Sequence, residues 1–308
     1  MNILFENIDF GSRTGPNGFG IKLRAAMIRD GHNVVTPGSV SSLGIIGKPD
    51  CQLTFIESDR QFAPTVQRLD GIYFNTAADW KLQNKKIEMT YRSSKSVVFQ
   101  SNFNKVLTEK FFGKKDLYSV IPNGTDVEKI SAIQPAVISE ISSFDQVWSC
   151  AASWRPHKRL KDNIECFLER SGKNDCMLVM GSNPDYSIDH PRVFYVGDLD
   201  WQTMISVFKA SDIFCSLSFL DHCPNVVVDA RASGCKIICA SSGGTKEIAG
   251  SDAVVIKDIE WDMSPIDLYS PPKLDFSEDI GGGIDSELDI MSVSKQYVKA
   301  LNLAMIGE

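Results

Sequence analysis

The chain lacks the features that mark several large classes of protein. No run approaches 18 apolar residues, so the sequence predicts no membrane-spanning helix. Residues 1–6 lack the basic region and the long apolar segment of a secretion signal. The eight cysteines form no CxxC pair and mostly lie in apolar runs, which is typical of buried thiols in a reducing compartment. We therefore expect a cytoplasmic protein without disulfides.

Several catalytic signatures are missing as well. The sequence has no GxSxG motif, no GxxxxGKS or GxxxxGKT phosphate loop and no internal repeat. Its four histidines are dispersed and lack metal-ligand spacing. Asp198-Leu-Asp200 imitates a DxD metal motif, but its place between a predicted strand and a predicted helix favours helix capping. No metal is expected.

What is present is ordinary globular composition with an uneven charge. The 308 residues are 43% hydrophobic and 23% charged, which suits two domains with cores of their own. Residues 1–135 hold 17 basic and 13 acidic side chains, whereas residues 136–308 hold 15 and 26. Nine basic residues and two acids fall within 81–115. That segment is either a solvated helical face or a positive surface for an anionic partner.

Strand and helix patterns alternate along most of the chain, which predicts parallel sheets covered by helices. A loop-like connection after Pro122-Asn123-Gly124 separates two such series, and residues 262–285 are expected to be irregular. The predicted strands are Ile3–Glu6, Cys51–Ile56, Ser96–Gln100, Tyr118–Ile121, Val147–Ala151, Cys176–Met180, Val193–Val196, Ile213–Leu217, Lys236–Ala240 and Val254–Ile256, with another beginning at Val34. The predicted helices are Phe19–Asp30, Asn102–Phe112, Lys161–Glu169, Asp200–Ala210, Val226–Ser233 and Ile290–Met305.

A glycine-rich loop between the first strand and the first helix could bring the backbone close to a phosphate. Its glycines include Gly15 and Gly18, which we expect to contact a nucleotide donor, although a simple tight turn fits equally well. The spacing is not GxGxxG, and no acid ends the second strand to bind a ribose. A nicotinamide-dependent dehydrogenase is therefore disfavoured.

Two further clusters follow strands of the second series. Ser153–Leu160 carries three cations in five residues, which suits the binding of a diphosphate. Cations at a helix N-terminus are unfavourable for the helix itself, so their presence there favours a role in binding an anion. In the second cluster Asp221 precedes a helix and Asp229 lies on it. We expect the Asp229 carboxylate to hold ribose hydroxyls and the N–H groups near Asn225 and Val226 to face phosphate.

The order of these elements resembles the GT-B-fold glycosyltransferases, and among them glycosyltransferase family 4, over roughly residues 1–258. The matching stretches are Val120–Asp126, Arg155–Leu160, Phe194–Ser218, and Asp221–Asp229 with the glycine pair that follows it. The sequence departs from the family pattern because aspartates replace both glutamates of its Glu-x7-Glu motif. Arg155 lies only three residues before Lys158, and Asn75 and Asp79 stand near the place of a family histidine.

The resemblance implies an α/β fold of two doubly wound Rossmann-like domains facing a central cleft, with a C-terminal helix crossing back to the first domain. The expected domains are residues 1–126 with 290–308, and residues 127–289. It implies transfer of a sugar from a UDP- or GDP-sugar with retention of configuration and without a metal or other required cofactor. Lys158 and Arg155 would neutralise the diphosphate, and Asp221 would orient the sugar.

Two other functions stay open at this point. A non-catalytic sugar-nucleotide-binding protein would bind a donor without turnover, and a GT-B epimerase would isomerise the donor without an acceptor.

The acceptor is expected on the first domain, near Asn75, Asp79, Trp80 and the basic residues Lys81, Lys85 and Lys86. A glycan or lipid-linked glycan ranks ahead of a hydroxymethylated base in DNA, which would have to flip out of its duplex. The acceptor could be anionic, such as an acidic glycan, a lipid surface or DNA, and the protein could lie against a membrane. No obligate protein partner is evident.

Overall fold

The chain folds into two compact units. The computed structural model describes residues 1–12, 15–37 and 48–306. The first unit comprises Met1–Asp126 and Glu287–Glu308, and the second comprises Val127–Ser286.

The first unit is built on a parallel six-stranded sheet. Its strand order is β2-β1-β3-β4-β5-β6, so the chain places β2 on one side of β1 and then continues on the other. The strands are β1 (Asn2–Glu6), β2 (Asn33–Val35), β3 (Cys51–Phe55), β4 (Thr65–Leu69), β5 (Ser96–Phe99) and β6 (Tyr118–Val120).

Helices cover this sheet. They are α1 (Gly15–Arg29), α2 (Trp80–Ser93), α3 (Asn102–Phe112) and the C-terminal helix (Ile290–Ile306). The C-terminal helix packs beside α1 over the central strands, where Tyr297 and Leu301 are fully buried with Phe19 and Phe55. The expectation that this helix returns to the first domain is therefore confirmed.

Strand β4 has no counterpart among the predicted strands because its sequence contains Gln67 and Arg68, which are both fully buried. Arg68 donates to Tyr297 Oη (3.1 Å) and Asn123 Oδ1 (2.7 Å), pairs with Asp70, and lies over the ring of Phe19. A buried charge satisfied in this way breaks the apolar pattern by which a central strand is recognised.

The second unit repeats the design. Its parallel sheet has the order β12-β11-β10-β7-β8-β9. The chain adds β8 and β9 on one side of β7 and then β10, β11 and β12 on the other. The strands are β7 (Val147–Ser153), β8 (Cys176–Ser182), β9 (Val193–Gly197), β10 (Ile213–Ser216), β11 (Lys236–Ala240) and β12 (Val254–Ile256). The helices are α4 (Val127–Ala132), α5 (Leu160–Arg170), α6 (Trp201–Lys209) and α7 (Asn225–Ala232).

Details of this unit agree with the sequence patterns. Asp200 caps α6, since its carboxylate accepts the N–H groups of Gln202 and Thr203. Residues 262–285 contain no helix or strand, only bridge residues at Ile266 and Asp279. All eight cysteines of the chain are free and buried, as expected for thiols that fill cores.

Each sheet order contains one point at which neighbouring strands lead the chain away in opposite directions. This switch point lies between β1 and β3 in the first unit and between β7 and β10 in the second. Ligands of open parallel sheets bind beyond the carboxyl ends of the strands at such points. The residues that leave these four strands are therefore the first candidates for a site.

Candidate functional site

The segments that leave β7 and β10 meet through an ion pair. Lys158 Nζ lies 2.5 Å from Asp221 Oδ2, and the two side chains are 18% and 15% exposed. They belong to two motifs that stand 63 residues apart in the sequence. The structure thus brings together, at the switch point of the second unit, a cation and a carboxylate that the sequence indicated separately.

A buried arginine holds the turn that carries Lys158. Pro156–Lys158 forms a short 3-10 helix, and Arg159 follows in the left-handed conformation (φ 54°) before α5 begins. The Arg159 guanidinium is fully buried and pairs with Asp258 (2.7 Å), which also accepts a hydrogen bond from Ser242 (2.5 Å). Only two cations of the predicted phosphate cluster therefore remain available, and Arg159 is a structural residue.

The backbone around Asp221 is fixed just as closely. Leu220 has a positive φ of 55°, and the Gly244 N–H donates to the Asp221 carbonyl oxygen (2.7 Å). Gly243, with φ 81°, lies so near that a Cβ atom would come within 2.5 Å of that same oxygen. The glycine pair therefore serves to seat the Asp221 loop, which explains why glycine is needed there.

The pair and its neighbours are largely buried. Burial raises the pKa of Asp221, but the neighbouring Lys158 ammonium and its hydrogen bond outweigh this effect and bring the pKa below the usual value. Burial lowers the pKa of His157 to about 4, helped by the Lys158 charge, and burial likewise lowers that of His222 to about 4. Both imidazoles are therefore neutral at pH 7.

Arg155 adds an exposed cation beside this group. Its backbone is extended, and its side chain makes no ion pair or hydrogen bond within the described part of the chain. An uncommitted guanidinium of this kind can grip two oxygens of an incoming anion.

Helix α7 begins directly after the Asp221 loop. Its first residues, Asn225 and Val226, precede the first intrahelical hydrogen bond, in which the Val227 N–H donates to the Pro224 carbonyl oxygen (3.1 Å). The positive end of the helix dipole thus lies next to Asp221, where an anion would be stabilised.

Asp229 lies one turn into α7 and is 2% exposed. Its Oδ2 accepts a hydrogen bond from the indole N–H of Trp201 (3.0 Å), the first residue of α6. The sequence did not single out Trp201. Its only local signal is an aromatic residue directly after the capping Asp200.

The two glycines predicted to contact the donor lie in the first unit. The helix already begins at Gly15, four residues earlier than predicted, so Gly15 and Gly18 occupy its first turn. Pro16 misled the prediction, because proline is tolerated in a first turn, where its missing N–H has no intrahelical acceptor.

The predicted acceptor-side residues surround the start of α2. Asp79 caps this helix by accepting the Leu82 N–H (3.0 Å), and Asn75 Oδ1 accepts the Ala77 N–H (3.1 Å). Trp80 is half-buried and packs edge-on against Phe111 at 5.4 Å. Its ring is therefore only partly accessible to a ligand.

The basic side chains that follow differ in their environments. Lys81 lies 5.4 Å from the Trp80 ring, and Lys85 is exposed. Lys86 is neutralised by Asp59 (2.9 Å) and Glu57 (3.4 Å).

Residues 1–12, 15–37 and 48–306 contain no group of three His, Cys, Asp or Glu side chains arranged to bind a metal ion. None of the helices in those residues is long and apolar enough to cross a bilayer.

The fold is similar to that of solved glycosyltransferase structures. HepE from Anabaena in complex with UDP and glucose aligns over 97% of this chain and 99% of its own, at 15% identity and a TM-score of 0.64. The catalytic domain of starch synthase IV from Arabidopsis thaliana, bound to ADP and acarbose, aligns over 99% of both chains at 10% identity and a TM-score of 0.66.

A third similar structure is sucrose-phosphate synthase from Thermosynechococcus elongatus, which covers 83% of this chain and 86% of its own at 12% identity and a TM-score of 0.64. No protein-family model and no curated protein sequence matches the chain. These likenesses establish the shared fold, the GT-B fold of two Rossmann-like units.

The two neutral histidines predict a pH dependence of stability. Their folded pKa values of about 4 lie below the ordinary 6.5, so the unfolded chain binds more protons between these values. The contribution is complete above pH 6.5 and is lost as the pH falls towards 4. We expect each histidine to lower the free energy of unfolding by up to about 2 kcal/mol between pH 7 and pH 5.

Urea unfolding of the wild type and of His157→Gln/His222→Gln at both pH values measures this loss. The variant should lose less stability than the wild type over the same interval. An identical loss in both proteins would contradict the assignment.

Proposed function

We propose that the chain is a glycosyltransferase that uses a nucleotide-sugar donor. The observation that carries the proposal is the meeting of Lys158, Asp221 and the start of α7 at the switch point of the second unit. This is where a sheet of this order binds nucleotides. The similar structures were solved with UDP, with UDP-glucose and with ADP, which supports a nucleotide ligand.

The cations would act on the leaving group. When the bond between sugar and diphosphate breaks, negative charge develops on the phosphate oxygens, and a fixed cation in a dry site stabilises that charge. Lys158 is held by Asp221 before any ligand arrives, so little reorganisation is needed. Arg155 would supply a second cation from the exposed side, and the N–H groups of Asn225 and Val226 would bind the phosphates.

The two aspartates would bind the rest of the donor. Asp221 would orient the transferred sugar. Asp229 would accept hydrogen bonds from the ribose hydroxyls, with Trp201 fixing its carboxylate. Aspartate is one methylene shorter than the glutamate found in the glycosyltransferase family 4 motif. A hydrogen bond from Trp201 would therefore help to hold the Asp229 carboxylate in the direction of the ribose. The donor would be a UDP- or GDP-sugar.

Retention of configuration and independence of metal belong to this proposal through the family resemblance. Gly15 and Gly18, in the first turn of α1, stay in this proposal as donor contacts. A non-catalytic binder is the alternative, and it predicts donor binding without hydrolysis or transfer.

For the acceptor we propose a glycan or a lipid-linked glycan, bound by the first unit. Helix α2 runs back along the sheet from the carboxyl end of β4, so Trp80, Lys81 and Lys85 lie towards the edge where substrates bind. Many of the other basic side chains are already engaged. Arg92 pairs with Glu88, and Lys105 pairs with Glu109.

A separate basic cavity lies at the opposite edge of the same sheet. It has a volume of about 410 Å³ and opens where the chain enters β5 and β6. Its lining residues include Arg92, Lys95, Lys114 and Lys115. Because it lies at the amino ends of the strands, it is a poor place for the reacting end of an acceptor. A DNA acceptor therefore ranks second, since much of the basic charge faces away from the carboxyl edge.

The first test removes the cation at the leaving group. We expect Lys158→Ala to lower kcat by roughly 100- to 1,000-fold, equivalent to about 2.7–4 kcal/mol of lost transition-state stabilisation. Lys161→Ala, which removes an exposed lysine three residues further on, is the matched control and should leave kcat unchanged.

Turnover of UDP-, GDP- and ADP-sugars is followed with EDTA present, and circular dichroism checks that each variant is folded. Full loss of wild-type turnover in EDTA would show that a metal is required. A folded Lys158→Ala protein that keeps more than a tenth of the wild-type kcat would refute the role of Lys158.

The second test concerns the Trp201 indole, whose N–H donates to the Asp229 carboxylate that would bind the ribose. Trp201→Phe keeps an aromatic ring but removes the N–H that orients Asp229. We expect the KM for the donor to rise roughly three- to tenfold while kcat stays near that of the wild type, because one hydrogen bond to a charged group is lost.

Trp261→Phe is the control, since the Trp261 indole N–H donates to a carbonyl oxygen in the irregular segment (3.0 Å). Equal donor KM values for the two variants would show that Trp201 does not act through Asp229.

The third test asks which lysines meet the acceptor. Lys81→Gln/Lys85→Gln should raise the KM for the acceptor several-fold, and the effect should shrink as salt screens the charges. Lys95→Gln/Lys114→Gln removes the same charge at the amino edge and should leave this KM unchanged. If the two double variants behave alike, the α2 lysines form a solvated face only.

A further inference from the structure

The first unit carries a glutamate at its own switch point that the donor site does not use. Glu6 is the last residue of β1, and β3 is the neighbouring strand on the side where the chain changes direction. By the same rule that places the donor site, this is the position in the first unit where a ligand is expected.

The two oxygens of the Glu6 carboxylate differ sharply. Oε2 accepts hydrogen bonds from Ser58 Oγ (2.5 Å), from Gln52 Nε2 and more weakly from Thr54 Oγ1 (3.4 Å). Oε1 accepts none from the residues that the structure describes, and it is reachable by solvent. One oxygen therefore fixes the direction of the carboxylate, and the other is presented outwards.

Buried polar residues support this arrangement from below. Gln52 and Thr54 lie on β3 and are fully buried. Both hydrogens of Gln52 Nε2 are engaged, since Glu6, Thr54 Oγ1 and the Arg60 carbonyl oxygen all lie within hydrogen-bond distance, and its Oε1 accepts the Phe62 N–H (2.9 Å). Ser58 is held in turn by its own N–H, which donates to Thr90 of α2 (3.0 Å).

The backbone is strained just beyond Thr54, the residue of β3 that pairs with Glu6. Ile56 has a positive φ of 67°, which is rare for a β-branched residue. Buried Gln67 holds it there by donating to the Ile56 carbonyl oxygen (2.6 Å). Strained positions of this kind persist where the surrounding structure fixes a functional geometry.

The charges around Glu6 indicate what would bind. Burial raises its pKa, assisted by the charge of Asp59 and opposed by the hydrogen bonds from Ser58 and Thr54 and by the charge of Lys86. Glu57 and Asp59 both pair with Lys86, so the carboxylates outnumber the cation here. A phosphate would be repelled, whereas an uncharged hydroxyl can donate to Oε1.

We propose that Glu6 binds the acceptor through a hydrogen bond from a sugar hydroxyl to Oε1, and that Ser58 acts as its positioning residue. This assignment rests on the proposed function. The part of the acceptor that binds near β1 and β3 would then be an uncharged polyol, which agrees with a glycan or with the sugar of a lipid-linked glycan.

The test uses the full chain with glucose, methyl α-glucoside and maltose as probes. Sugar binding is measured without donor by saturation-transfer NMR, UDP, GDP and ADP binding by calorimetry, and transfer from each nucleotide-sugar by product analysis. Glu6→Gln should weaken binding of the best sugar at least about tenfold, since a hydrogen bond to a charged acceptor is lost. Nucleotide binding should change less than about twofold.

Three further variants separate binding from folding. Asp116→Asn removes an exposed carboxylate just before β6, at the amino edge of the same sheet and away from Glu6, and should leave sugar binding as in the wild type. Ser58→Ala should weaken sugar binding by a smaller factor than Glu6→Gln, and Ser58→Thr, which keeps the hydroxyl, should restore it.

Equal sugar binding by Glu6→Gln and Asp116→Asn would overturn the proposal, as would a wild-type chain that binds none of the three sugars. If Glu6→Gln does not fold, Ser58→Ala and Ser58→Thr decide, and equal sugar binding by these two variants would then overturn it. Loss of nucleotide binding by the wild type, with sugar binding intact, would instead refute the donor site.

Discussion

The ion pair between Arg159 and Asp258 is the constraint on which the second unit's site depends. Both side chains are fully buried, and leaving one member of such a pair unpaired costs roughly 3–5 kcal/mol. The Arg159 guanidinium also donates to the carbonyl oxygens of Leu217 (3.3 Å) and Pro272 (2.8 Å). One side chain thus joins the segments that follow β7, β10 and β12. Lys158, its neighbour, is aimed at Asp221 as a consequence.

This constraint also explains what a sequence can and cannot reveal about the site. Lys158, Asp221 and the glycine pair were found because each stands in a local motif directly after a strand. Arg159 stood in the same motif, and only its partner 99 residues away shows that it is structural. Trp201 was missed for a related reason, since its contact with Asp229 spans 28 residues and no spacing rule connects them. Local chemistry was readable, whereas long-range pairing was not.

The fold followed the same division. Strands with continuous apolar runs, such as β11 and β12, were predicted to the residue. Strand β4 was not, because its buried Gln67 and Arg68 are satisfied by partners distant in the sequence. Alternating strands and helices indicated two Rossmann-like units, a conclusion that needs only the order of elements. The order of strands within each sheet required the structure.

The two units meet the same physical problem at their switch points. In each, a carboxylate follows or ends a strand, and a non-glycine residue with positive φ lies close to it: Leu220 precedes Asp221, and Ile56 lies two residues after Thr54, the residue of β3 that pairs with Glu6. A parallel sheet delivers its strand ends to one edge but does not by itself orient a side chain there. That orientation costs local strain, of order 1–3 kcal/mol for each such residue.

In the second unit an ammonium fixes the carboxylate, which leaves a charged pair suited to an anionic leaving group. In the first unit neutral hydrogen-bond donors fix the Glu6 carboxylate, so its outward oxygen is still able to accept a hydrogen bond from a ligand. The difference in what holds each carboxylate is therefore what would divide donor chemistry from acceptor binding.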